Sequence, residues 1–235
     1  MASQRVSELL NSFGCNERIR FFKQWYQHVR ENEFVALDIT SLSSYSENMG
    51  MLGWGHNRDG EKLPQLNICM LFGEKTVRPI FQTLYNGSLT DVTTLETTLS
   101  EFEVITGTRD IMLIMDKGFS SAKNINQMLG DVSQTPFKFL ILAPYTTNFA
   151  KDLVKNEHAT IDTVDNVIFT HDASMPVRGV YRPCIWNKNI HLHAHIYFDP
   201  QRALAERNDV FSYIATLKSM ALKDYKNPAY QKEFQ

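Results

Sequence analysis

Two aspartates give this chain its first chemical signal. Asp38 closes the apolar run FVALD (Phe34 to Asp38), and Asp116 closes IMLIMD (Ile111 to Asp116). A lone carboxylate at the end of a buried strand is costly unless it is neutralised, paired or bound to a cation. In open α/β sheets, ligands gather beyond the carboxyl ends of the strands. If the two strands are neighbours, both carboxylates meet at one edge, and a divalent cation relieves their repulsion. Hard oxygen donors, with no cysteine or clustered histidine beside them, suit Mg²⁺ or Mn²⁺. Two ions held by acids are the equipment of in-line phosphodiester displacement. An Asp at a strand end is also a common turn former that caps the next helix, so pattern alone leaves both readings open.

The elements that must position these acids are legible around them. Val6 to Arg30 has helical spacing of Leu9, Leu10, Phe13, Phe21, Phe22, Trp25, Tyr26 and Val29, with a break near Gly14. Phe34 to Asp38 reads as a short buried strand, and Gly53 to Lys62 as a loop or hairpin tip. Leu66 to Phe72 and Val77 to Tyr85 read as antiparallel hairpin strands, the second ended by the turn dipeptide Asn86-Gly87. A helix follows over Thr90 to Phe102, then the strand Ile111 to Met115, a helix capped by Ser120 or Ser121 and running to Leu129, and the strand Phe137 to Leu142. Alternation of strands with helices predicts parallel pairing in one sheet with helices on its faces. Further on, Asn189 to Phe198 reads as a strand and Pro200 to Asp224 as a helix.

Composition narrows the class. The 235 residues, 43% of them hydrophobic, can bury a core of one large domain or two small ones. No apolar run is long enough for a membrane helix, and the N-terminus lacks the order of a signal peptide, so a cytoplasmic globular protein is expected, with no membrane partner. Cys15, Cys69 and Cys184 form no CxxC pair and are expected as reduced thiols. A net charge of −2 argues against avid nucleic-acid binding by the whole surface. Neither GxSxG, a P-loop nor GxGxxG occurs, which removes serine hydrolases, nucleotide hydrolases and dinucleotide enzymes.

VALDITSLSSYS, the long block from GWGHNRDGEK through NGSLTDVTTL, and IMLIMDKGFSSAKNI together resemble the catalytic core of DDE transposases of bacterial insertion sequences, in the hairpin-insertion group. The likeness runs from about Phe34 to Pro144, and HLHAHIYFDPQRALAERND is similar to that group's following segment. It implies an α/β fold, an RNase H-like mixed sheet flanked by helices and incomplete at the C-terminus. Residues 1–33 would be a helical lead-in and 34–235 a partial catalytic domain, with an insertion segment at about 145–235. The implied activity is cut-and-paste DNA transposition: metal-dependent phosphodiester hydrolysis and strand transfer at transposon ends, by a protein that is a homodimer when full length. Asp38 matches the first acid of the family's triad and Asp116 the second, as ligands of Mg²⁺ or Mn²⁺.

The third acid departs from the pattern. Tyr197, Arg202, Glu206 and Lys218, with 4, 3 and 11 residues between them, do not keep the spacing of the family's signature. Glu206 is therefore expected as a helix-surface acid and the true glutamate beyond Gln235, which makes the chain a fragment. A weaker reading takes Glu206 as the third ligand of a metal-dependent nuclease. An inactive or domesticated module that binds DNA or protein is the alternative.

Several other features have a functional and a plain reading. Arg58, Lys62 and Lys117 are the DNA-contact candidates, because Arg and Lys donate to phosphate oxygens; solvated charges around a turn explain Arg58 and Lys62 equally well. His191, His193 and His195 alternate and would share one strand face, where a solvated face is favoured over a zinc or iron site. Trp54 and Trp186 could stack on an unpaired base, but packing in a core or hairpin is the expectation for both.

Overall fold

The computed structural model describes residues 3–30, 34–55, 60, 62–89, 91–130, 135–169, 176–186 and 190–223. It divides into two compact units, Met1–Pro144 and Tyr145–Gln235.

The first unit is built on five strands: β1 (Phe34–Ser43), β2 (Gln65–Gly73), β3 (Arg78–Asn86), β4 (Met112–Met115) and β5 (Lys138–Ile141). Their order is β3-β2-β1-β4-β5. β1, β2 and β3 are antiparallel neighbours, whereas β4 runs parallel to β1 and β5 parallel to β4. This mixed sheet with its helices is the α/β, RNase H-like arrangement that the resemblance implies. Among the described residues the α-helices of this unit are α1 (Ser3–Asn11), α2 (Cys15–Val29), α3 (Asp91–Thr106) and α4 (Ala122–Leu129).

Period-2 alternation decides which side of the sheet is dry. Val35, Leu37 and Ile39 of β1, Cys69 and Leu71 of β2 and Leu113 and Met115 of β4 are all buried. Phe22 and Tyr26 of α2 and Leu95, Leu99 and Phe102 of α3 are buried as well. Phe81 of β3 joins them: its ring meets Phe22 edge-on at 5.0 Å and Phe102 at 6.5 Å. At the outer edge of the sheet, Trp25 Nε1 donates to the Pro79 carbonyl at 2.7 Å and Arg18 donates to that of Gln82 at 2.8 Å. Arg18 also sits over the Phe22 and Phe81 rings and pairs with Glu101.

One polar group in this core makes a pH-dependent contribution. The Tyr85 hydroxyl donates to the Thr94 carbonyl at 3.1 Å and shares a hydrogen bond of 2.7 Å with Thr98 Oγ1. Burial pushes the phenol from 10.0 up to about 12. The folded form holds this proton more tightly than the unfolded chain, so the stability it contributes is complete below pH 10 and is lost as pH rises from 10.0 to about 12. Denaturant unfolding across that window is expected to show a loss of stability that shrinks in Tyr85→Phe; an identical loss in the variant would refute the assignment.

The second unit contains α5 (Asn148–Glu157), β6 (Val167–Ile168), β7 (Val177–Trp186), β8 (Ile190–Phe198) and α6 (Pro200–Lys223). The strands form an antiparallel sheet in the order β6-β7-β8. Thr147 caps α5 by accepting from the Ala150 amide. Phe149 of α5 packs edge-on against Trp186 at 5.3 Å, and Glu157 binds Arg182 of β7 through two hydrogen bonds of 2.6 and 2.7 Å. Trp186 thus packs as expected, whereas Trp54 in the first unit is 69% exposed, because it lies in a loop beyond the core strands. Among the described residues no helix is long and apolar enough to cross a membrane.

Candidate metal centre

The placement of Asp38 corrects the expectation that it ends its strand. β1 continues to Ser43, because β2 pairs with it from Val35 to Ser43, including Asp38 with Met70 and Ser43 with Gln65. Asp38 lies instead where parallel pairing ends. β1 and β4 pair from Phe34 with Met112 to Leu37 with Met115, and Asp38 and Asp116 are the next residue on each strand. Neighbouring strands run about 4.8 Å apart, so the two acids are adjacent across the sheet.

They also share a face. Leu37 and Met115 are both buried on the helix-covered side, and Asp116 keeps an extended backbone at φ −79°, ψ 178°. Alternation then turns Asp38 and Asp116 to the opposite, exposed side.

Each carboxylate is steadied by one oxygen. Asp38 Oδ1 accepts from the Ile39 amide at 2.8 Å, and Asp116 Oδ1 accepts from the Gly118 amide at 2.6 Å. The second bond forms because Asp116 caps the short 3₁₀ helix Lys117–Phe119. Gly118 therefore serves as an amide donor in a helical turn. That turn is anchored from beneath: Phe119 is buried, Asn124 donates to its carbonyl at 2.9 Å, and Ser121 caps α4 by accepting from the Asn124 amide. The capping role and the ligand role are thus compatible, since Oδ2 of each acid is left outside these bonds. Among the described residues no Lys or Arg forms an ion pair with Asp38 or Asp116. Two exposed, hard carboxylates without a cationic partner fit Mg²⁺ or Mn²⁺.

The remaining candidates stand as follows. Lys117 adjoins Asp116 and is exposed, and Lys62 is exposed in the segment leading into β2. Arg58 lies outside the described residues. Glu206 is on α6, where its carboxylate accepts from Arg202 Nε at 2.9 Å as an exposed i,i+4 pair. Among the described residues no three His, Cys, Asp or Glu side chains gather as a metal-binding group. His191, His193 and His195 are exposed along one side of β8, as the alternation implied.

Comparison with known proteins gives a family. Residues 30–185 match the family described as Transposase DDE domain. No curated protein matches the chain. Among solved structures, the piggyBac transposase synaptic complex with hairpin DNA is similar at 14% identity and a TM-score of 0.44, over 94% of this chain and 48% of that one. The Mos1 transposase paired-end complex with left transposon end is similar at 13% identity and a TM-score of 0.32, over 63% and 49%. The Mos1 mariner paired-end complex with Mn gives 12% and 0.30, over 70% and 60%. The chain thus spans about half the length of the first two of these proteins.

Proposed function

Because the chain belongs to the Transposase DDE domain family, we propose that it is catalytic-core sequence of a DNA transposase, with Asp38 and Asp116 as ligands of Mg²⁺ or Mn²⁺. The observation that carries this reading is the parallel register ending at Leu37 and Met115, which makes the next residue on each strand an exposed aspartate. A divalent ion bound there supplies Lewis-acid stabilisation of the charge that builds on a phosphodiester under attack. The chain's own part is to hold both carboxylates side by side on adjacent strands, each with Oδ1 fixed by a backbone amide, where they would hold the ion. In the proposed reaction a water oxygen bonds to phosphorus and the bond to the 3′ oxygen breaks, leaving a 3′-hydroxyl and a 5′-phosphate. Strand transfer repeats the displacement with a DNA 3′-hydroxyl as the attacking group.

Lys117 and Lys62 are proposed phosphate contacts, DNA in the form of transposon ends is the proposed partner, and the full-length protein is proposed to act as a homodimer in the cytoplasm. Arg58, outside the described residues, keeps the same proposed role. A second reading, a DNA- or protein-binding module without chemistry, is favoured by the lack of a three-ligand group among the described residues.

Strand nicking separates the two. Supercoiled DNA incubated with the chain and Mg²⁺ or Mn²⁺ is expected to relax slowly and to stop doing so on chelation. Metal-independent relaxation would refute the metal chemistry, and DNA binding without any relaxation would favour the second reading.

A further inference from the structure

The two acids are not held alike. Asp38 lies within β1, where Met70 of β2 pairs with it and the strand runs on to Ser43. The sheet itself therefore fixes its backbone. Asp116 follows Met115, the last residue of β4, and its place is set by the 3₁₀ turn Lys117–Phe119. The turn grips the aspartate at its start: the Gly118 amide donates to Oδ1 at 2.6 Å and the Phe119 amide to the Asp116 carbonyl at 3.3 Å. Whatever holds the far end of the turn also holds the carboxylate.

That end is held by Asn124. Its Nδ2 donates to the Phe119 carbonyl at 2.9 Å, and its own amide donates to Ser121 Oγ at 3.1 Å. Asn124 belongs to α4, whose buried face also carries Ile125 and Met128. The Phe137 amide donates to the Met128 carbonyl at 2.8 Å and so ties the helix to the residue that enters β5. Since β5 pairs with β4, the hold on Asp116 returns to the sheet through α4.

Packing alone does not account for an asparagine at this place. The side chain is 0% exposed, and its Oδ1 has no hydrogen-bond partner among the described residues. A buried acceptor without a partner costs stability, and leucine, with the same branching, carries no such atom. With leucine there the Phe119 carbonyl would still accept from the Ser121 amide, at 3.0 Å. What leucine lacks is the donor that ties the turn to the helix.

We propose that Asn124 is a positioning residue: through the turn at 117–119 it fixes the Asp116 carboxylate beside that of Asp38 for a divalent cation. The cation rests on the proposed transposase reading; the hold on Asp116 does not. Groups that orient a metal ligand are commonly worth roughly ten- to a hundredfold in metal affinity.

Asn124→Leu in the full chain tests it. Mn²⁺ binding followed by electron paramagnetic resonance is expected to weaken about tenfold, the lower end of that range. The Gly118 amide is expected to lose protection from hydrogen exchange, while the melting temperature stays at or above that of wild type. Ile125→Val, which trims the buried face of the same helix, is expected to do the reverse: a lower melting temperature, with Mn²⁺ binding and Gly118 exchange unchanged. Asn124→Ala removes the donor without adding bulk, and it decides the matter if the leucine variant does not fold. Where Mn²⁺ binding depends on Asp116, wild-type Mn²⁺ affinity in Asn124→Ala overturns the positioning role, and so does unchanged Gly118 protection. Mn²⁺ binding that Asp116→Asn leaves unweakened overturns the metal reading instead, and Gly118 exchange then decides by itself whether Asn124 holds Asp116.

Discussion

Asp38→Asn and Asp116→Asn are each expected to lower Mn²⁺-dependent nicking by at least about a hundredfold, the scale on which one lost transition-state stabilising group acts. Asn keeps the size of the side chain and one acceptor oxygen but removes the charge. Position 116 retains a carbonyl able to accept from the Gly118 amide, so the capped turn before α4 survives. The loss is therefore expected without loss of fold, and a melting temperature near that of wild type checks this. Mn²⁺ binding followed by electron paramagnetic resonance gives a readout independent of turnover. Each variant is expected to bind Mn²⁺ more weakly, because each removes one of two hard anionic donors from the same edge. Wild-type affinity and nicking in either variant would remove that residue from the site. Glu206→Gln, which breaks only the exposed pair with Arg202, is expected to change neither measurement; a comparable loss there would revive Glu206 as a ligand.

Phe102→Ala is expected to destabilise the first unit by about 3–5 kcal/mol, the usual cost of truncating a buried Phe. Phe102 is 0% exposed and lies between Tyr26 of α2, at 6.3 Å between ring centroids, and Phe81 of β3, at 6.5 Å. Its removal opens a cavity where two helices meet the sheet. Against a total stability of roughly 5–15 kcal/mol for an ordinary domain, that loss is a large share. Hydrogen exchange is the suitable readout, since amides of α2 and α3 should lose protection first while the hairpin of the second unit keeps its own. Phe102→Leu retains most of the packing and should cost much less. Equal protection in Phe102→Ala and wild type would show that this cluster does not hold α2 to the sheet.

The local signals were strong where a single element decides its own fate. The helix pattern broken at Gly14 became α1 and α2, Ser121 caps α4, and Asn86 closes β3. Adjacent apolar runs before Asp38 and Asp116 became β1 and β4, neighbours with matched register. What could not be read was set by partners remote in sequence. The five residues from Ile39 to Ser43 carry hydroxyls and only two apolar side chains, yet they remain in β1 because β2 supplies hydrogen bonds along them. β7 was hidden for a related reason. Arg178, Arg182 and Pro183 interrupt its apolar pattern, and proline is unfavourable inside a sheet. Among the described residues β6 pairs only with Arg178 and Val177, so at Pro183 the strand pairs with β8 on one side and with no described strand on the other. The site was legible as two acids. Their amide anchors were not, since the bond from Gly118 depends on the 3₁₀ turn that a Lys-Gly-Phe tripeptide does not announce.

The donors from Trp25 and Arg18 to the carbonyls of Pro79 and Gln82 have a further consequence. β3 is one of the two edge strands, β5 being the other, and an exposed strand edge is a template on which another chain can add. With two of its acceptors taken by side chains of α2, and Pro79 lacking an amide hydrogen, that template is spoiled at several points along nine residues. The same helix that closes the core thus opposes growth of the sheet at this edge. Resistance to edge-to-edge association at β3 thus rests on side chains of a helix that the sequence places well before it.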